Sequence, residues 1–365
     1  MRIELTQQSD LEVNQLSAAD LTPAMAARYL SGKIHLRSFW ELLRRYYPQG
    51  DLRDQVIRAV VRPGDDPKST ARRVRNWEQG KNAPTSREDL FRIAFALGLN
   101  EEETSGLLGM CTDYGIHYRN GRELTYAYCL RRGLSYEQAA ELYASLPDPD
   151  RSAAGKPARF SDTQQIVSVF AGVQDDREFI RLYEEYLDSF GTLHQRAWNY
   201  FDRFFQALVS PDGEERYSIE KAAQTYLSLH MPSGSRRQEY TLIQRMLKQG
   251  WPNATKLKNI CAHREDVPRK LLLLLYIITE NVLDDAYDEL DETYLSPEEL
   301  FEEHWWRVNL MLRECGMPTL DPRNAYDWLV LYSLNSGVGQ DEAMGERMEA
   351  VIAALFPGEA GREIT

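Results

Sequence analysis

Apolar residues recur at intervals of three and four positions along most of the chain, which is the spacing of one face of an α-helix. No sustained run of alternating, β-branched residues, the pattern of strands, interrupts these segments. The pattern therefore predicts an all-α fold. Two stripes near the N-terminus show the spacing: Leu36, Phe39, Trp40, Leu43 and Tyr47, then Leu52, Val56, Ile57, Val60 and Val61.

Capping residues mark the ends of several predicted helices. Thr22 and Pro23 stand in the order of an N-cap followed by a first-turn proline. Residues 85–88 (TSRE) match a capping box with Thr85 as the N-cap. The helix that follows is expected to end at Gly98, and Asn100 opens the next one.

A short basic helix begins near Lys68 and is expected to end at Gly80, where a left-handed cap belongs. Ala71, Val74 and Trp77 fall on one side of it, so we expect Trp77 in the core and the arginines directed towards solvent or a partner. Five basic residues of this stretch face a single acid, Glu78: Lys68, Arg72, Arg73, Arg75 and Lys81.

This stretch contrasts with the chain as a whole, which has a formal net charge of −13. Such a balance argues against a protein that coats nucleic acid through bulk charge, but it allows one local basic face. Two explanations of that face stay open. It contacts nucleic acid, or it is a solvated face that pairs with acidic residues of the second half of the chain.

Length and targeting signals define the broad class. A chain of 365 residues favours two or three domains. The longest wholly apolar run, residues 271–278, is too short to span a bilayer, and the N-terminus lacks the pattern of a signal peptide. Four cysteines lie in helical patterns without CxxC spacing. We expect a cytoplasmic protein with reduced, buried thiols.

Motifs for catalysis are missing from the sequence. The six histidines are scattered, and Cys261 and His263 form the only close pair of potential metal ligands. The chain has no GxGxxG, Walker or GxSxG motif. The sequence therefore predicts neither an enzyme nor a cofactor or metal site.

The basic helix and its successor resemble the helix-turn-helix domain of the Cro/repressor-like (xenobiotic-response-element) regulators, whose signature runs through W-E-x-G-K and a proline to L-x-x-I-A-x-A-L-G. The matching positions are Val74, Trp77, Glu78, Gly80, Lys81, Pro84, Leu90, Ile93, Ala94, Ala96, Leu97 and Gly98. Residues 109–146 are similar to a helical hairpin that often trails this domain. The resemblance covers about residues 22–146.

The resemblance implies that the basic helix docks on double-stranded DNA. Five residues at or near its start would then meet base edges or phosphates: Lys68, Ser69, Thr70, Arg72 and Arg73. Arg75, Asn76 and Lys81 would hold phosphates. One departure concerns the connection at residues 62–67, which is longer than the turn of a helix-turn-helix and could splay the two helices.

Composition divides the chain into six predicted segments. These are a polar arm (1–20), the helix-turn-helix domain with its hairpin (21–146), a linker (147–160), aromatic-rich connecting helices (161–215), a second helical copy (216–357) and a tail (358–365). The aromatic residues of the connecting helices are expected in the core or, as the alternative, in a dimer interface.

The second copy is inferred from two sets of matches whose offsets differ, so the alignment requires gaps. Ala26 and residues 29–31 pair with Ala223 and residues 226–228 at an offset of 197 (223 − 26), and a larger set shares an offset of 204 (323 − 119). The matched pairs of the larger set are Cys111 and Cys315, Arg119-Asn120 and Arg323-Asn324, Tyr128 and Tyr332, Leu130 and Leu334, and Gly133 and Gly337. Residues 255–264 of this copy lack the tryptophan and the arginine cluster, and an acidic insertion at 280–304 follows. The copy is thus expected to be a scaffold or a partner surface.

The sequence favours a transcriptional regulator, of bacterial repressor type, that binds double-stranded DNA in a sequence-specific manner. It would act as a homodimer or as an internal pseudo-dimer of the two copies. The alternative is an adaptor that keeps the fold but binds a protein through the basic helix or the acidic insertion.

Overall fold

A computed structural model describes residues 7–16, 21–112, 114–147, 163–191, 194–210, 217–232, 240–279, 296–335 and 343–357. No strand occurs in these ranges, which confirms the all-α prediction. No helix within them combines the length and apolar composition needed to cross a bilayer. Most of the predicted linker, residues 280–295 of the acidic insertion and the tail lie outside the described residues.

The chain forms two compact units. The central unit comprises residues 37–196 and 314–318, and the terminal unit comprises residues 1–36, 197–313 and 319–365. The helices of the central unit are α3 (Phe39–Tyr46), α4 (Leu52–Val60), α5 (Pro67–Glu78), α6 (Arg87–Leu97), α7 (Glu101–Cys111), α8 (Gly121–Arg131), α9 (Tyr136–Ser145), α10 (Thr163–Ala171) and α11 (Asp176–Glu185).

The terminal unit contains the remaining α-helices. They are α1 (Gln7–Leu16), α2 (Pro23–Gly32), α12 (Gln195–Val209), α13 (Ile219–Ala222), α14 (Leu242–Lys248), α15 (Ala254–Cys261), α16 (Arg269–Ile278), α17 (Pro297–Glu314), α18 (Ala325–Leu334) and α19 (Met344–Leu355).

Side-chain caps begin most of these helices. The Thr22 hydroxyl accepts a hydrogen bond from the Met25 amide at the start of α2, as predicted. Helix α6 differs from the prediction by one residue, because Ser86 rather than Thr85 is its N-cap. Gly98 ends α6 with φ 64°, in the left-handed region that favours glycine.

The core of the central unit extends beyond the predicted first domain. Helix α4 packs on α5 and α6, and α8 pairs with α9 as the predicted hairpin. Helices α10 and α11 join the same core, where Phe179 stacks on Tyr128 with ring centroids 4.3 Å apart. The predicted boundary at residues 147–160 therefore does not separate these helices from the first domain.

The terminal unit includes residues 1–36, which the sequence predicted as a polar arm and as the start of the helix-turn-helix domain. Tyr29 of α2 stacks on Trp328 of α18, with ring centroids 5.3 Å apart, so α2 belongs here rather than with the helix-turn-helix. The predicted polar arm contains α1, whose Glu12 is buried and accepts hydrogen bonds from the Tyr29 hydroxyl (2.6 Å) and the His35 amide (3.1 Å). A buried carboxylate thus anchors a polar helix.

Each unit contains an arginine–carboxylate pair between two helices, partly buried in the central unit and buried in the terminal unit. In the central unit, Arg87 begins α6 and donates to Glu123 of α8 at 2.6 and 2.7 Å. In the terminal unit, Arg269 begins α16 and donates to Asp327 of α18 at 2.7 and 2.9 Å. Glu123 and Asp327 are 204 positions apart (327 − 123), the offset found in the sequence.

Four further hydrogen bonds of these pairs recur at the same offset. Each arginine donates a hydrogen bond to a loop carbonyl, and each carboxylate accepts one from a loop amide. The amide one residue before that loop amide donates to a polar side chain. An asparagine caps the helix that carries the carboxylate. The atoms involved are those of Gly115 and Thr319, His117 and Asp321, Ser105 and Asn309, and Asn120 and Asn324. These matches support the predicted duplication, which stays an interpretation.

Candidate nucleic-acid interface

The connection that leads into α5 is folded by its own hydrogen bonds. The Asp65 amide donates to the Arg62 carbonyl (3.0 Å), and Gly64 between them has φ 90°. Pro63 followed by a glycine with positive φ is typical of a type II turn. The Arg62 amide also donates to the Asp65 carboxylate (3.0 Å). The connection is therefore longer than a usual helix-turn-helix turn, as predicted, but it has a defined shape.

Helix α5 is capped at both ends by the chain itself. The Asp66 carboxylate accepts hydrogen bonds from the amides of Lys68 (3.2 Å) and Ser69 (3.0 Å). At the other end the Lys81 amide donates to the Asn76 carbonyl (3.0 Å), and Gly80 has φ 65°. This is the Schellman arrangement, and it confirms that Gly80 ends the helix.

The inner face of α5 is fixed in the core of the central unit. Thr70, Val74 and Trp77 are buried at intervals of four and three residues, with at most 4% of each residue exposed. The Trp77 ring packs edge-on against Phe39 of α3, with centroids 5.9 Å apart. Val74 and Trp77 thus have the core positions that the sequence predicted.

The outer face of α5 carries a basic stripe, defined here as Lys68, Arg72 and Arg75. These residues recur at intervals of four and three and are exposed on the side opposite Val74 and Trp77. They span about 10 Å of helix axis. None of the three forms an ion pair with a described residue. Three positive charges are therefore available to a partner along one face.

The other predicted contact residues divide into two groups. Ser69 is exposed beside the stripe, Lys81 is exposed just beyond the helix, and Asn76 is half-buried. The prediction that Thr70 contacts DNA is wrong, because Thr70 is buried and does not reach the surface. The methyl group of threonine lets it continue the apolar face that Val74 and Trp77 begin.

Arg73 is the second correction, because its guanidinium packs against the protein. It donates to the Val60 carbonyl (3.2 Å), lies 3.9 Å from the Asp89 carboxylate and sits 5.4 Å from the centre of the Trp77 ring. Arg73 therefore helps to hold α5 on the domain rather than extending the basic stripe.

Asp89 was missed by the sequence-based reasoning. Its carboxylate accepts a hydrogen bond from the Arg62 guanidinium (2.7 Å) in addition to the contact with Arg73. This hydrogen bond and the charge of Asp89 raise the pKa of Arg62. An acidic residue in the first turn of α6 is ordinary for a helix start, so only the tertiary contact shows that Asp89 holds two arginines.

The one acid of the basic helix has its own cationic partners. Glu78 lies 4.0 Å from the Arg44 guanidinium of α3 and 3.6 Å from that of Arg53 of α4. These two arginines balance its charge, so that Glu78 does not neutralise the stripe on α5.

The segment that the predicted duplication matches to α5 has a different charge arrangement. Helix α15 carries Lys256 and Lys258, and each pairs with a carboxylate of the terminal unit. Lys256 lies 3.9 Å from Glu265, and Lys258 contacts Glu220 directly. The lysines of α15 are thus engaged within the protein, unlike the basic stripe of α5.

Metal ligation and thiol chemistry are the other functions to consider for the described residues. No group of three metal-ligating side chains was found in the parts of the chain that the structure describes. All four cysteines are free thiols. Burial raises the pKa of Cys111, Cys129 and Cys315 to about 12, which keeps these thiols protonated at neutral pH.

Comparison of the chain with protein-family models, with curated proteins and with solved structures found no match.

Proposed function

We propose that this protein binds double-stranded DNA in a sequence-specific manner through α5 and thereby regulates transcription. The observation that carries the proposal is the basic stripe, which is exposed and unpaired while the opposite face of the same helix is buried. Positive side chains on a rigid helix can neutralise phosphates and read base edges in the major groove.

The geometry of α5 suggests separate tasks along the helix. Lys68, Ser69 and Arg72 lie towards its start, the end of a recognition helix that meets base edges. Arg75 and Lys81 lie further along and suit phosphate contacts. Asp66 already accepts hydrogen bonds from the first free amides of α5, so a phosphate near the helix start must be bound by side chains.

The pairing of lysines on α15 favours one DNA-binding helix per chain. An internal pseudo-dimer would need a second free basic face, and the charges of Lys256 and Lys258 are balanced by Glu265 and Glu220. We therefore propose that two half-sites are bound by two copies of the chain, as a homodimer. A non-enzymatic role in the cytoplasm is part of the same proposal.

A binding assay with paired variants tests this function. We expect wild-type protein to bind labelled genomic duplexes at moderate salt, as measured by fluorescence anisotropy. The double variant Arg72→Ala with Arg75→Ala should lose this binding at unchanged thermal stability, because neither side chain packs in the core. The matched control is Lys256→Ala with Lys258→Ala, which removes the same charge from α15 and should bind like wild type.

Three results would contradict the proposal. Wild-type protein could fail to bind any duplex, the α5 variant could bind as well as wild type, or the α15 variant could lose as much affinity as the α5 variant. If the α5 variant instead loses a protein partner while wild-type protein binds no DNA, the adaptor function is the correct one.

A further inference from the structure

One buried carboxylate restrains two arginines next to the basic stripe. Asp89 receives the Arg62 guanidinium at 2.7 Å and has the Arg73 guanidinium at 3.9 Å. The Asp89 side chain is only 6% exposed, whereas those of Arg62 and Arg73 are 47% and 40% exposed. Both arginines therefore reach the surface, while the group that holds them lies beneath it.

The positions of these arginines make their restraint relevant to DNA binding. Arg62 lies in the turn that leads into α5, and Arg73 follows Arg72 of the basic stripe directly. Released from Asp89, each could extend and neutralise one further phosphate. Phosphate contacts raise the affinity for every DNA sequence alike, so additional contacts increase binding without adding sequence information.

A phosphate has to compete with Asp89 for these guanidiniums. Moving Arg62 to DNA would remove the shortest contact of a carboxylate that has almost no access to water. An unpaired buried charge is strongly unfavourable, which opposes the exchange. The Val60 carbonyl and the Trp77 ring hold Arg73 in addition.

We infer that Asp89 is a specificity-determining residue of the DNA interface, and this inference rests on the proposed function. It keeps Arg62 and Arg73 away from the phosphate backbone and so limits binding to non-specific DNA. The alternative is a purely structural residue that ties α6 to the turn before α5. The two roles predict opposite effects on non-specific affinity.

The test measures the salt dependence of binding for wild type, Asp89→Asn and Asp54→Asn. Asp54 of α4 is exposed, so its variant removes one negative charge of the same unit without releasing an arginine. Two duplexes are used, one enriched from a randomised pool by wild-type protein and one of random sequence.

For Asp89→Asn we expect the slope of log K against log salt on the random duplex to steepen by about 0.9 for each released guanidinium. This corresponds to roughly eightfold tighter non-specific binding per guanidinium at 0.1 M salt, relative to 1 M. The ratio of specific to non-specific affinity should fall. Asp54→Asn should keep the wild-type slope.

An unchanged slope in Asp89→Asn, with weaker binding to both duplexes, would overturn the inference and leave the proposed function intact. Failure of wild-type protein to enrich any duplex would instead refute the proposed function and this inference together. If Asp89→Asn does not fold, Arg62→Gln and Arg73→Gln replace it. Each should keep the wild-type slope, and a slope shallower by about 0.9 would show that these arginines already contact phosphates.

Discussion

The partly buried pair of Arg87 and Glu123 allows a stability prediction worked from its contacts. Arg87 donates to both oxygens of Glu123 at 2.6 and 2.7 Å and to a hydroxyl and two carbonyls of residues 112–115 at 2.5 to 3.0 Å. Only 10% of the Glu123 side chain is exposed. In Arg87→Met the carboxylate would keep the His117 amide (2.8 Å) as its remaining hydrogen-bond donor.

Removing one partner of a buried ion pair costs about 3–5 kcal/mol. Because 28% of the Arg87 side chain is exposed, we expect a value near the lower limit, about 3 kcal/mol. The double variant Arg87→Met with Glu123→Leu should recover at least about 1 kcal/mol of this loss, since it leaves no charge unpaired. Arg269→Met should lose more than Arg87→Met, because Arg269 and Asp327 are 10% and 3% exposed.

Urea unfolding followed by circular dichroism measures these differences. The matched control is Arg181→Met, which breaks an exposed pair with Glu185 on α11 and should cost less than about 0.5 kcal/mol. The reasoning would be refuted if Arg87→Met cost no more than this control. It would also be refuted if the double variant were as unstable as the sum of its two single variants.

Three further predictions concern pH, close packing and charge. Burial lowers the pKa of His304 from 6.5 to about 4, so the unfolded chain takes up a proton first as the pH falls. The free energy of unfolding should therefore drop by up to about 3 kcal/mol from pH 6.5 to pH 4. His304→Gln should remove this dependence, and identical pH profiles of the two proteins in urea unfolding would contradict the assignment. Gly98→Ala should lower the free energy of unfolding by about 1 kcal/mol because of its positive φ alone. Gly121→Ala should lower it by about 3 kcal/mol, because the new Cβ would lie 2.9 Å from Cζ of Tyr183. Equal melting temperatures of the two variants would refute this difference. Asp66→Ser keeps a side-chain cap on α5 but removes a negative charge. Fluorescence anisotropy should therefore show tighter binding to random-sequence DNA than for wild type, and weaker binding would contradict this prediction.

The sequence predicted those features of α5 that depend on neighbours along the chain. Local spacing predicts that the helix ends at Gly80 and that Val74 and Trp77 face the core. The structure shows all three features. Thr70 is buried at the same spacing, but its hydroxyl group made it a candidate for contact with DNA. The engagement of Arg73 depends on Asp89, sixteen positions away, which helical periodicity does not reveal.

The division of the chain was harder to predict, because it depends on contacts between distant segments. Helix α2 meets its partner Trp328 about 300 positions later, and the predicted linker gave no sign that α10 and α11 return to the first core. The constant offset of 204 positions did locate matching hydrogen bonds in both units. Arg87 and Arg269 hold similar positions in the two pairs but differ by 182 positions (269 − 87), so that matching them requires a gap in the alignment.

Selection from a pool of randomised duplexes tests the central claim most directly. We predict that wild-type protein enriches a short common motif over successive rounds, and that the double variant Arg72→Ala with Arg75→Ala enriches none. Sequencing of the wild-type pool would contradict the account if it remained as diverse as the starting pool. Enrichment of the same motif by the double variant would contradict it equally, since the basic stripe would then not be the surface that binds DNA.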